Sequence, residues 1–273
     1  ILRFGRVEGD RIVCPYHGWS YDCHGLGLSP GTPQLHACVG SYEVVERHNT
    51  IWIKAKGSVA EFPQLDVTEY HYVCTLSHHI RAPLELVVDN FVEVEHTGST
   101  HALLGYAQER VSEIETHVEV TDKTVRVTNF GPQKPIPWFI ERLYDIRTGD
   151  WFTDDWTTYF SPVYTIYEQW WSSPSTGEPR QQRMRIAVFF NPVDSERTDL
   201  VTFVYSTIVW GQFGFHLLLK PLLTRLVDYE IRLDQQMVER IADKHITLGE
   251  MQLGRFDRAL VETRKRIDRI YRV

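Results

Sequence analysis

Two groups of residues in this 273-residue chain have the types and spacing to hold a metal. The first is Cys14-Pro15-Tyr16-His17-Gly18-Trp19, where a thiol and an imidazole three positions apart can face one ion across a tight loop. Pro15 and Gly18 suit the sharp turn that such convergence requires. By itself a Cys-x-x-His pair is weak, because most are a buried cysteine and a surface histidine in an ordinary turn. The second group lies in residues 89–101, Asp-Asn-Phe-Val-Glu-Val-Glu-His-Thr-Gly-Ser-Thr-His, dense in acids and imidazoles. On an unbroken helix His96 and His101 would stand about 140° apart, on different faces. They can share a metal only if the helix ends or distorts between them. Thr97-Gly98-Ser99 is a good place for that, since glycine ends helices and serine can cap a new turn. The spacing is unlike the His-Glu-x-x-His of zinc proteases, whose histidines stand one turn apart.

The wider context sharpens both groups. The stretch from Cys14 through Ser20-Tyr21-Asp22, with Gly25 after it, resembles the second ligand loop of a Rieske domain. In that family a [2Fe–2S] cluster takes two cysteines on one iron and two histidines on the other. The resemblance implies that Cys14 and His17 supply one of each. Their partner pair lies upstream in the family, and no Cys or His precedes Cys14 in this sequence. The expectation is a chain cut inside its own Rieske domain, whose cluster belongs to a longer parent protein. Cys23-His24 and His36-x-Cys38 follow the loop and are read as incidental.

Asn90, Glu93, His96 and His101 stand in register with the Asn-x2-Asp-x2-His-x4-His pattern of Rieske non-haem iron aromatic-ring-hydroxylating oxygenases, alpha (catalytic) subunit. Glu93 occupies the place of the family's Asp. In that family the acid links a cluster-ligand histidine of one subunit to an iron-ligand histidine of its neighbour. One methylene longer, Glu93 can keep that electron-transfer bridge, weaken it, or yield it to Glu95 or Asp89. A 2-His-1-carboxylate site needs a third ligand and leaves positions open for oxygen and substrate. Asp228, Glu230, Asp234, Glu239 and Asp243 could all lie on one solvated helix face, and spacing alone does not choose among them. The resemblance selects Asp234.

What the resemblance implies is an oxygenase catalytic subunit with a Rieske cluster, a mononuclear Fe(II) and O2 as co-substrate. It would hydroxylate or oxidatively demethylate an apolar or aromatic small molecule. A separate reductase, with or without a ferredoxin, would supply electrons to a head-to-tail homotrimer. The competing reading is a helix-grip module that binds a hydrophobic ligand without oxygenase activity.

Elements must position these residues. The expected class is α+β: a partial Rieske β domain over residues 1–57, then a helix-grip (START-like) catalytic domain over 58–273, with an antiparallel sheet and a long C-terminal helix. Residues 70–80, 111–129, 184–190 and 200–210 read as strands, and 84–96, 222–244 and 258–272 as helices. Trp138, Phe139, Trp151, Trp156, Tyr159, Trp170 and Trp171 make the middle aromatic-rich, suited mainly to core packing and in part to a pocket.

Composition removes other classes. Net charge −7 argues against nucleic-acid binding, which needs a basic surface. Four cysteines are too few for a disulfide scaffold and point to a reducing, cytoplasmic setting. Residues 200–223 carry Gln212, His216, Lys220 and Pro221, too polar for an integral membrane span. Residues 213–223 keep a composition that could still touch a membrane surface or a subunit.

Overall fold

Period-two alternation of apolar and polar residues builds the frame that holds the candidate site. In the computed structural model this frame is a seven-stranded antiparallel sheet. The structure describes residues 2–144, 146–207 and 215–272. It divides into two compact units, Ile1–Pro63 and Gln64–Val273.

In the first unit, β1 (Arg6–Glu8), β2 (Arg11–Val13), β3 (Ser20–Tyr21), β4 (Leu26–Leu28) and β5 (His36–Cys38) form an antiparallel sheet in chain order. A separate hairpin joins β6 (Tyr42–Arg47) to β7 (Thr50–Ala55). Arg11 ties the small sheet together, its guanidinium donating to Ser20 Oγ at 2.9 Å and to the Leu26 carbonyl at 2.7 Å.

The second unit opens with β8 (His71–Ile80), followed by α1 (Leu84–Phe91) and the single turn α2 (Thr97–Thr100). A meander follows: β9 (Glu115–Val120), β10 (Thr124–Pro132), β11 (Trp151–Phe160), β12 (Val163–Ser172), β13 (Pro179–Asp194) and β14 (Arg197–Ser206). A short helix, α3 (Trp138–Tyr144), interrupts it between β10 and β11. Strand β8 pairs with β14, giving the order β8-β14-β13-β12-β11-β10-β9. The long helix α4 (Phe215–Arg240) packs against β8 and α1, and α5 (Arg258–Tyr271) packs against α1 and strands β9 to β11. This is the α+β helix-grip arrangement expected from the sequence.

Several boundaries move, each for a local reason. The helix expected over 84–96 stops at Phe91, because Val92 leaves helical geometry (φ −119°, ψ 16°). The Glu93 carboxylate then accepts the amides of Glu95 at 2.6 Å and His96 at 3.3 Å, starting a new turn. The expected strand 111–129 is two strands hinged at Thr121, whose hydroxyl accepts the amides of Lys123 and Thr124. Strands β11 and β12 lie in the aromatic-rich middle, where polar Asp154, Thr158 and Thr165 on buried positions break the apolar–polar alternation.

Helix α4 begins before Pro221 and runs through it. Its apolar face, with Leu223, Val227, Ile231 and Val238 buried, carries the helix past the lost hydrogen bond. Of the strand expected over 200–210, residues 208–210 lie outside the described residues, as do 213 and 214 of the stretch 213–223. Among the described residues no helix is long and apolar enough to cross a membrane.

The helices are locked beneath the sheet by one buried ion pair. Arg264 of α5 donates from Nε to Asp89 of α1 at 2.8 Å and from Nη2 at 2.5 Å, with both side chains under a tenth exposed. Burial pushes the Asp89 carboxyl up to about 6 although the guanidinium pulls it down, so desolvation outweighs pairing here. Removing one partner strands the other charge. Arg264→Met is expected to lower unfolding free energy by about 3–5 kcal/mol; urea denaturation of the variant measures it.

Candidate metal centre

His96 and His101 flank the single turn α2. His96 keeps helical geometry (φ −69°, ψ −25°), whereas His101 is extended (φ −73°, ψ 139°). Ending the turn at His101 brings the rings to 5.0 Å between centroids at 81°, which a continuous helix would forbid. Gly105 lets the chain beyond His101 pack closely on Thr97: it sits at φ +112°, and a Cβ there would lie 2.9 Å from Thr97 Cβ.

Helix α4 supplies the acid. Val227, Glu230, Ile231 and Asp234 follow the i, i+3, i+4, i+7 spacing that shares one helix face, and all four are buried. Asp234 Oδ1 lies 3.0 Å from His101 Nε2 and 3.3 Å from His96 Nε2. The three ligand atoms fall within 4.8 Å of one another, the sole such cluster of three or more His, Cys, Asp or Glu among the described residues. Bonds of about 2.1 Å at right angles to one ion leave ligand atoms ~3 Å apart, so the set fits a facial 2-His-1-carboxylate metal site.

The other candidate acids, four on or just beyond this helix, are committed elsewhere. Asp228 pairs with Arg232 and His78, Glu239 with Arg81, and Asp243 accepts the amide of His245. Glu230 accepts the amides of Ala102 at 3.1 Å and Leu103 at 2.8 Å, pinning the chain just beyond His101. On the opposite side Lys134 Nζ donates to the carbonyls of Thr97 at 3.1 Å and His101 at 2.5 Å. Spacing on α4 put Glu230 only among the candidate ligands, and Lys134 carries no sequence signal. Its partners are backbone carbonyls, which look alike in any sequence.

Glu93 Oε1 hydrogen-bonds His96 Nδ1, fixing the ring so that Nε2 faces Asp234. Of the alternatives to Glu93, Asp89 is consumed by Arg264 and Glu95 is exposed. Burial works against a charged His96 ring, but the hydrogen bonds of Asp234 and Glu93 outweigh it and raise His96 to about 10. Burial likewise opposes the Asp234 charge, and the two imidazoles overcome it, holding the carboxyl far below its ordinary value.

The three donors form one wall of a cavity of ≈ 710 Å³, counted out to its open mouth. Its floor is one face of the sheet, with Asp154 and Trp156 of β11 beside Gln169 and Tyr167 of β12, then Ile186 and Val188 of β13. Burial pushes Asp154 up to about 7. Of the seven aromatics singled out in the sequence, Trp156 alone lines this cavity. Trp171 is core, while Trp138 and Phe139 are exposed.

In the first unit, Cys14 and His17 sit on one turn closed by Cys14 N–H to the Trp19 carbonyl at 2.7 Å and Gly18 N–H to the Cys14 carbonyl at 3.0 Å. Gly18 takes φ +71°, which the turn requires and other residues resist. Cys14 is half-buried and His17 exposed. Cys23 and Cys38 are also exposed, and among the described residues no third donor joins the pair in a cluster. This turn therefore presents one thiol and one imidazole.

In a metal-free site His96 holds both ring protons at neutral pH, and a metal must displace the one on Nε2. Affinity therefore rises with pH up to about 10, and calorimetry in buffers of different ionisation enthalpy should detect release of about one proton per Fe(II). Glu230→Leu or Lys134→Met, which frees the backbone on either side of His101, should weaken metal binding by roughly 10–100-fold. An Fe(II) titration of each variant checks this.

The vanillate O-demethylase oxygenase C-terminal domain family matches residues 80–272, and the Rieske [2Fe-2S] domain family matches residues 1–43. The chain is 27% identical over 207 residues to the toluene-4-sulfonate monooxygenase system iron-sulfur subunit TsaM1 of Comamonas testosteroni, covering 69% of this chain and 57% of that protein. It is 29% identical over 128 residues to a vanillate O-demethylase oxygenase subunit of Pseudomonas sp., covering 43% and 39%. It thus spans little more than half the length of the first of these relatives and less of the second. Dicamba monooxygenase bound to 3,6-dichlorosalicylic acid has a TM-score of 0.80 at 18% identity, covering 99% of this chain and 83% of that one. NdmA of Pseudomonas putida CBB5 with caffeine has a TM-score of 0.72 at 20% identity, covering 97% and 73%. At these identities the solved structures speak to the fold.

Proposed function

The chain belongs to the vanillate O-demethylase oxygenase C-terminal domain family, and from that membership we propose that it is the catalytic part of a Rieske-type oxygenase. It hydroxylates or oxidatively demethylates an apolar or aromatic small molecule at an Fe(II) held by His96, His101 and Asp234. The observation that carries this reading is the meeting of those three donors at the wall of a largely apolar cavity. A module that only sequesters a hydrophobic ligand gains nothing from three mutually stabilised ionisable groups, one buried and two half-buried.

Residues 58–273 form the catalytic domain and residues 1–57 the Rieske portion in this reading, with Cys14 and His17 supplying one thiolate and one imidazole to the cluster. Relatives bearing the vanillate O-demethylase and toluene-4-sulfonate monooxygenase names support an aromatic substrate. Bound Fe(II), fed electrons through the Rieske cluster, supplies activation of O2.

The chain's own residues do the rest. Asp234 places a negative charge against the ion, and Glu93 orients His96 while retaining lone pairs for a further donor. That leaves it able to link His96 to a cluster histidine of a neighbouring subunit, as a head-to-tail homotrimer would require. The apolar faces of Phe91, Leu104, Val188 and Ile231 exclude water from around the substrate. Electrons come from a separate reductase, with or without a ferredoxin, in the cytoplasm.

Two tests follow on the protein carrying both metal centres. His96→Ala or His101→Ala should cut product formation below about 1% while the cluster's visible absorption persists. Undiminished product in either variant removes that residue from the site. Glu93→Gln should retain both centres and slow cluster reoxidation by about tenfold or more, read by stopped-flow absorbance. An unchanged rate would move the bridge elsewhere.

A further inference from the structure

The segment that carries His96 hangs from the end of α1, and one side chain of the cavity floor reaches across to hold that end. Helix α1 stops at Phe91, and the Val92 N–H turns back to the Asp89 carbonyl at 3.2 Å. The last carbonyls of a helix have no partner within it and need one from outside. The Phe91 carbonyl accepts from the hydroxyl of Tyr167, 76 residues away on β12. Tyr167 is buried, and its ring stands 5.8 Å from that of Trp156, its register partner on β11. Burial, with Asp154 and Asp234 nearby, pushes the phenol well above its ordinary value, so the hydroxyl keeps the proton it donates.

The Phe91 ring also packs edge-on against Phe190 of β13, at 5.4 Å between centroids. That apolar contact is non-directional, whereas the hydrogen bond sets where the carbonyl points. Two residues beyond the held carbonyl stands Glu93, which accepts the amides of Glu95 and His96 and hydrogen-bonds His96 Nδ1. Val92 and Val94, on either side of Glu93, are buried and leave the connection little slack. A path of direct contacts and short covalent links therefore runs from the floor through the Tyr167 hydroxyl, the end of α1 and Glu93 to the His96 ring. His101 is held by another route, its flanking backbone gripped by Glu230 of α4 and by Lys134.

Resting on the reading of His96, His101 and Asp234 as iron ligands, we infer that Tyr167 is a positioning residue for that centre. Its hydroxyl fixes the end of α1 and, through Glu93, the His96 ring, and leaves the His101 arm to Glu230 and Lys134.

Tyr167→Phe keeps the ring and removes the donor. Anaerobic titration with Fe(II) should show roughly tenfold weaker binding, with urea denaturation reporting the fold of the same samples. Double-variant cycles separate positioning from general loosening. On Glu93→Ala, which already frees the His96 ring, Tyr167→Phe should cost less than about threefold more. On Glu230→Leu, which acts on the other arm, it should keep its full factor of roughly ten. Tyr167→para-aminophenylalanine, which puts an N–H donor back in the same place, should bind Fe(II) within about threefold of the unaltered protein. The Nδ1–H proton resonance of His96 gives a readout without metal, and Tyr167→Phe should shift or broaden it. Unchanged Fe(II) affinity in Tyr167→Phe, an equal loss on both double-variant backgrounds, or no recovery with para-aminophenylalanine overturns the inference. An unaltered protein that folds and takes up no Fe(II) overturns the iron assignment instead. The His96 resonance then decides the positioning role by itself: moved in Tyr167→Phe it stands, unmoved it falls.

Discussion

Two imidazole nitrogens, supplied by positions up to 138 residues away in sequence, lie 3.3 and 3.0 Å from one carboxylate oxygen of Asp234. Each group alone would be costly to bury. Together they hold one another's charges, so Asp234 stays ionised and His96 protonated despite little solvent. A metal that replaces the shared protons inherits a site already drawn together. The helices and sheet can be understood as the means of keeping that separation fixed.

Three devices do so at different ranges. Nearest the ligands, Glu93 orients one ring, while Glu230 and Lys134 grip the backbone on either side of the other. Farther out, the i, i+3, i+4, i+7 face of α4 sets Asp234 one turn beyond Glu230, so the residue that anchors the histidine loop and the carboxylate that meets both imidazoles move as one body. At the longest range, the Arg264–Asp89 pair ties α5 to the helix that leads into the histidine turn. A displacement at that pair would reach the site through a single packed element, α1.

The cavity floor reflects a separate constraint. Adjacent residues on a strand face opposite ways, so Asp154 and Asp155 meet different surroundings although they are chemically identical. One looks outward to an arginine; the other looks into the cavity and has an amide for company. The same sheet thus pairs one aspartate outward with an arginine and turns its neighbour toward the cavity.

The order of residues on its own determined a good deal: two groups of potential metal donors, the need for a break between His96 and His101, the α+β class, and the position of α5 to within a residue. These are local facts, written in spacing and in glycine, serine and proline chemistry. A motif resemblance was needed to prefer Asp234 over Asp228, Glu230, Glu239 and Asp243, since spacing left all five open. Only the tertiary structure decided what the other four do, because each finds a partner through contacts that sequence distance does not encode. Lys134 and the Asp154–Gln169–Trp156 floor were illegible for the same reason. A lysine bound to backbone carbonyls, and an aspartate held by one side-chain amide, differ from their neighbours only in where the folded chain points them.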